Sequence, residues 1–172
     1  MINKPMLRLG LPVAALVVAL DQASKWWVVE KLFRPEGVTE TPFFTATRFD
    51  IAPVFDLVMT WNRGVSFGIL NQPGAWNGLV LSGAAAVIVA LLVVWMAQAQ
   101  SRMVALALGL VVGGAVGNVI DRLRYGAVAD FLDVHLHAWH WPAFNLADSG
   151  ITVGAIILVL DSLFTRRTSS KK

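Results

Sequence analysis

The sequence predicts an all-α membrane bundle of four transmembrane helices carrying a small extracytoplasmic β-sheet. Three observations predict it. Hydrophobic residues fill 56% of the 172 positions and charged residues only 15%, against about 25% charged in a soluble domain; the mean hydropathy is +0.65. Four stretches hold the roughly 20 apolar residues that crossing a bilayer requires. Between the first and second of them, one segment changes from helical to alternating patterning. A single soluble core of this size could not hide so much apolar surface, which excludes an ordinary globule. Cysteine is absent, which removes disulfides, thiolate metal sites and cysteine nucleophiles together. No Lys/Arg cluster interleaves with aromatics, so no nucleic-acid partner is expected.

The spans cover about 9–29, 78–97, 103–120 and 146–164, within one membrane domain of residues 1–172. Trp76 and Trp95 bracket the second, 19 residues apart. At ~1.5 Å per residue that is about 28 Å, which puts both indoles at interfaces. The first span follows Lys4 and Arg8 but ends in Asp-Gln-Ala-Ser-Lys, not in a small-x-small cleavage site, so it reads as a retained helix. Lys4, Arg8, Arg102, Arg166, Arg167, Lys171 and Lys172 lie in short segments without acids. Short basic segments stay inside, so both termini are expected in the cytoplasm. Ten of the 11 acids, all but Asp161, then sit at or near the outer side. The polar tail from Thr165 is expected to be disordered.

The extracytoplasmic insert covers about 30–75. Phe55, Leu57, Met59 and Trp61 alternate with Val54, Asp56, Val58 and Thr60, and alternation resumes with Val65, Phe67 and Ile69 after Asn62-Arg63-Gly64. This predicts a hairpin turning at a segment tolerant of left-handed backbone.

Acids inside or beside a span are costly and mark function by default. Asp21 and Lys25 stand four apart on one helix face, either as an ion pair that lets the helix end in water or as ligand contacts. Gly109, Gly113 and Gly117, with Gly114 alongside, form a small-residue stripe that permits close helix approach. Asn118, Asp121 and Arg122 follow; the last two are too close in sequence to face each other on a helix, so each needs another partner. Arg122 also reads as an interfacial anchor. In an extended 128–137 segment, Asp130 shares a face with Leu132, Val134 and Leu136, while Asp133, His135 and His137 share the other. Asp130 is therefore expected to point inward and Asp133 to water. Asp133, His135, His137 and His140 resemble a metal site, yet the same alternation makes a wet face with Trp139 and Trp141 as interfacial anchors. The wet face is the reading adopted, and neither metal nor cofactor is expected. Asn145 and Asp148 imitate a capping box at the head of the fourth helix. They also put Asp148 at the membrane level of Asp130.

Two carboxylates converging at a membrane surface suggest aspartic-protease chemistry. Like charges a few ångströms apart cannot both ionise, so one holds a proton while the other activates water. A proton-coupled transporter would instead need acids deep in the spans, where only Asp21 and Asp161 lie. A scaffold without chemistry would be indifferent to Asp130 and Asp148.

Five blocks carry a family resemblance: Asp21-Gln22-x-Ser24-Lys25; Asn62-Arg63-Gly64-Val65-Ser66-Phe67-Gly68; Gly113-Gly114-Ala115-x-Gly117-Asn118-x-x-Asp121-Arg122; Val128-x-Asp130-Phe131; and Phe144-Asn145-x-Ala147-Asp148-Ser149. In this order they resemble the bacterial lipoprotein signal peptidases, signal peptidase II. The resemblance implies a four-span inner-membrane aspartic peptidase with an outer β-cradle. Its substrate would be a diacylglyceryl-modified prolipoprotein cut just before the lipidated cysteine. It implies Asp130 and Asp148 as the catalytic pair, with Asn62, Gly64, Asn118, Arg122 and Asn145 shaping the substrate site. Asp21, Lys25 and Asp121 would support them. Partners are then this substrate and membrane lipids, and a monomer is expected. The 34–50 stretch is longer than the family's, and His135–Trp141 matches none of its motifs.

Overall fold

The computed structural model describes residues 3–45, 47–64 and 75–169. Helix α1 (Lys4–Trp27) runs on as a π-helical stretch, Val28–Phe33, that buries Val28, Val29 and Phe33. Strands β1 (Arg48–Ala52) and β2 (Phe55–Asn62) follow, then helices α2 (Ala75–Met96) and α3 (Arg102–Tyr125), strands β3 (Val128–Leu136) and β4 (Trp139–His140), and helix α4 (Leu146–Ser169). Four helical stretches are long and apolar enough to cross a membrane: Lys4–Phe33, Leu79–Met96, Arg102–Tyr125 and Leu146–Phe164. Large apolar side chains such as Leu16, Leu91 and Leu163 are exposed along them. In water such surfaces would be a liability; in lipid they are the solvent-matched face. This is a four-helix membrane protein with a small antiparallel sheet.

The chain forms two compact units. The first comprises Met1–Leu20, Ala85–Gly117 and Leu146–Lys172. Ala14, Met96, Ala105, Leu108 and Val112 form its core. Close backbone approach builds it. A methyl group added at Gly113 would lie 2.6 Å from the Ala14 carbonyl oxygen, and one at Gly114 would lie 2.3 Å from that of Ala147. The small-residue stripe on α3 therefore serves two neighbours, Gly113 meeting α1 and Gly114 meeting α4. The tail expected to be disordered from Thr165 instead continues α4 to Ser169.

The second unit comprises Asp21–Ala84 and Asn118–Asn145, and holds the four-stranded sheet in the order β1-β2-β3-β4, antiparallel throughout. The second limb of the expected hairpin, Val65 to Ile69, lies outside the described residues. The hairpin that β2 does make is with β1, turning at Pro53 and Val54. Helix α3 stops at Gly126, whose φ of 72° only glycine adopts without strain, and β3 begins two residues later.

The strict alternation expected along β2 fails at one place. Leu57 pairs with Leu132, but Thr60 pairs with Asp130 and Asn62 with Val128. Three steps on β2 match two on β3, so β2 carries one extra residue, a bulge that reverses which side chains face which way. Trp61 consequently leaves the face of Leu57, and Asn62 joins the face of Asp130.

The wet face expected for Asp133 is also corrected. Asp133 is buried, whereas Val134 and Leu136 on the opposite face are exposed. Asp56 stands directly across from Asp133 in the β2–β3 ladder, a pairing of like charges that needs counter-charge. Arg48 supplies it, bonding Asp56 and reaching Asp133 at 3.9 Å. Its hydrogen bond to Asp56 raises the guanidinium above its ordinary value, so it stays charged. His140 Nδ1 lies 2.8 Å from Asp133, and His135 Nε2 2.9 Å from Asp56. The two imidazoles stack with ring centres 4.8 Å apart.

The tight contact at Gly114 has a direct consequence. Gly114→Ala must push α3 from the Ala147 carbonyl, a strain of about 1–3 kcal/mol. Gly83→Ala meets nothing within 4 Å. Thermal unfolding in detergent should show a lowered Tm for the first substitution and none for the second.

Candidate active site

The site is built outward from Lys25 on α1. Its side chain is 2% exposed. Its Nζ lies 2.9 Å from Asp21 Oδ2, 2.9 Å from Asp121 Oδ2 and 3.0 Å from Asn118 Oδ1. An ammonium has three N–H donors, and each has an acceptor. Asp21 and Lys25 thus form an ion pair, as their spacing suggests, but a dry one rather than a wet helix end. Asp121 and Arg122 do point to different partners. Asp121 Oδ1 accepts from Gln22 Nε2 at 2.9 Å, and its Oδ2 accepts the backbone N–H of Ala129 at 3.1 Å. One carboxylate of α3 therefore grips both α1 and the strand that carries Asp130.

A second line runs through amides. Asn118 Oδ1, which accepts from Lys25, also accepts from Asn145 Nδ2 at 3.3 Å. The same Nδ2 donates to the Ala129 carbonyl at 3.3 Å and to Asp130 Oδ1 at 2.7 Å. With acceptors on every side, the NH₂ end of Asn145 must point this way. The other carboxylate oxygen, Asp130 Oδ2, accepts from Asn62 Nδ2 at 3.1 Å. Asn62 is oriented in turn by Gly64, whose backbone N–H donates to Asn62 Oδ1 at 3.1 Å. Arg122 fixes that turn by donating to the Gly64 carbonyl at 3.1 Å and to the Asn118 carbonyl at 3.3 Å.

Asp130 is thus a buried carboxylate, 3% exposed, with an amide donor on each oxygen. Asp21, Lys25, Asn62, Gly64, Asn118, Asp121, Arg122 and Asn145 all converge on it within the second unit. Asp148 belongs to the first unit, half-buried in the opening turn of α4, three residues along the chain from Asn145. Gln22 and the Ala129 N–H were not picked out as site groups from sequence. Gln22 stands inside a motif block beside Asp21, which was a usable signal; a backbone N–H leaves none. Among the described residues no three His, Asp or Glu side chains are arranged to hold a metal ion, and His135 and His140 are instead engaged with Asp56 and Asp133.

Residues 13–164 match the signal peptidase (SPase) II family, Peptidase_A8. The lipoprotein signal peptidase of Methylorubrum extorquens (strain PA1) is 45% identical over 156 residues, covering 91% of this chain and 86% of that protein. That of Paraburkholderia phytofirmans (strain DSM 17436 / LMG 22146 / PsJN) is 44% identical over 155 residues, covering 89% and 83%. A bacterial membrane enzyme solved by the in meso method at 2.3 Å superposes with a TM-score of 0.75 at 27% identity, covering 95% of this chain and 91% of that one. A second, solved at 1.9 Å, gives 0.71 at 26% identity, covering 90% and 92%. Fold and relatives together define a multi-pass membrane protease. The chain belongs to the signal peptidase II family.

Two outcomes test this geometry. Lys25→Met leaves two buried carboxylates without their cation, and breaking a buried pair in this way costs about 3–5 kcal/mol. Adding Asp21→Asn and Asp121→Asn should restore part of the lost thermal stability in detergent, because the uncompensated charge is gone. Asn62→Ala removes the amide donor on Asp130 Oδ2 and leaves that carboxylate less firmly aimed. Proteolytic activity should fall about 10²-fold, as misplacement of a supporting group does, while the helical circular-dichroism signal is kept.

Proposed function

We propose that this protein cleaves the signal peptide from diacylglyceryl-modified prolipoproteins just before the lipidated cysteine, using Asp130 and Asp148 as an aspartate dyad. The observation that carries the reading is the setting of Asp130. A buried carboxylate with an amide donor on each oxygen is in an environment suited to the ionised form, as a general base requires. Asp148, in the first turn of a helix three residues beyond an amide that holds Asp130, is its partner in this reading.

The chemistry balances without a covalent intermediate. Asp130 takes a proton from water as the oxygen attacks the scissile carbonyl carbon, while protonated Asp148 hydrogen-bonds the carbonyl oxygen. Collapse of the tetrahedral intermediate breaks the C–N bond, and the amine leaves with a proton supplied by the dyad. Asn62 and Asn145 keep Asp130 aimed; Lys25, Asp21, Asp121 and Asn118 keep those amides in place, and Gly64 and Arg122 shape the adjoining turn. Basic residues gathered in the short terminal and 98–102 segments support cytoplasmic termini, which puts the dyad near the outer face of the inner membrane.

Asp130→Asn and Asp148→Asn should each lower turnover by about 10²–10⁴-fold, the usual worth of a positioned acid or base, with membrane insertion retained. Full cleavage by either variant would overturn the dyad. A diacylglyceryl-prolipoprotein assayed beside its unlipidated form tests the substrate class: only the lipidated form should be cut, and equal cleavage of both would point to a different peptidase.

A further inference from the structure

The β3–β4 hairpin is two-faced in a way that the chemistry above does not use. Leu136 pairs with Trp139 across the hairpin, so Val134, Leu136, Trp139 and Trp141 occupy one face. They are 41%, 60%, 61% and 51% exposed, and the two indoles pack edge to face with centres 6.0 Å apart. The other face carries the Arg48, Asp56, Asp133, His135 and His140 cluster. One side of a thin hairpin is therefore aliphatic and aromatic, and the other holds charge.

Chain length says what meets the apolar side. Trp141 lies five residues before Leu146, where a helix long and apolar enough to cross the membrane begins. Five residues reach at most about 18 Å. The polar interfacial layer extends several ångströms beyond the hydrocarbon on each side, so Trp141 is tethered within reach of that layer whatever path the connection takes. Tryptophan favours this zone because its ring is apolar and its N–H is polar. A docking protein would have to compete there with lipid already present.

We infer that the Val134, Leu136, Trp139 and Trp141 face is seated in the headgroup layer of the bilayer, as a lipid-bound clasp on the strand that carries Asp130. The clasp holds the far end of β3, while the Asp121 bond to Ala129 holds the near end. This inference needs the chain to span a bilayer but does not depend on the dyad, and its test reads no cleavage.

The chain has no cysteine, so Trp139→Cys, Trp141→Cys and, as a water-facing control, Glu40→Cys each give one labelling site. The full-length variants carry a nitroxide in phospholipid vesicles, and power-saturation spectroscopy compares collisions with oxygen, which concentrates in lipid, against a water-soluble nickel chelate. Labels at 139 and 141 should favour oxygen, with the reverse preference at 40. Equal nickel access at all three sites would overturn the clasp. So would nickel access at 139 and 141 that is lost only on adding a lipidated precursor, which assigns the face to substrate. Protection that weakens as protein is diluted in the vesicles would assign it to a second copy and overturn the clasp equally. A cleavage assay on the same labelled variants is run separately, so a failed dyad leaves this result readable.

Discussion

One ammonium group holds the site together. Lys25 is nearly devoid of water contact, and a cation so placed persists only if every N–H finds a partner. Its three partners sit on α1 and α3, so meeting its demand fixes those two helix ends together. Each partner is shared onward. Asp121 extends the tie to the backbone of β3, and Asn118 extends it through Asn145 to the carboxylate of Asp130. The Asp130 carboxylate is thus fixed, through shared partners, to a buried cation rather than to a loop. This is how a small sheet can hold a carboxylate in a definite orientation.

Several parts of this arrangement were legible in the sequence because they are local. An excess of apolar residues in four long runs leaves few folds open, and the four-residue interval between Asp21 and Lys25 puts them on one helix face. The small-residue stripe on α3 announced close packing, though not that Gly113 and Gly114 would serve different helices. What could not be read were meetings between distant segments. Gln22 meets Asp121 across 99 positions, and no pattern within α1 points to that partner. Asp133 was misjudged for the same reason: its alternation with apolar neighbours gives the right face, but Arg48, 85 positions earlier, covers that face and makes it dry.

β3 acts as a partition. On one side it presents Asp130 and then a run of apolar side chains; on the other it carries carboxylates and imidazoles balanced by one guanidinium. Neither side could be exchanged for the other by a one-residue slip, because a slip would place Asp133 among the apolar side chains and Leu132 or Val134 among the charges. The mutual pairing of Arg48, Asp56, Asp133, His135 and His140 therefore fixes register as well as balancing charge.

The extra residue in β2 sets the phase of the strand. Before it, the odd-numbered positions Phe55 and Leu57 share the side of Asp130; after it, the even-numbered positions Thr60 and Asn62 do. A change of length in the connection before β1 leaves the β2–β3 register as it is. Between Leu57 and Asn62 length acts differently. The bulge absorbs one residue, so a strand one residue shorter there would pair regularly and still put Asn62 on the side of Asp130. An added residue that the bulge did not also absorb would put Trp61 there instead.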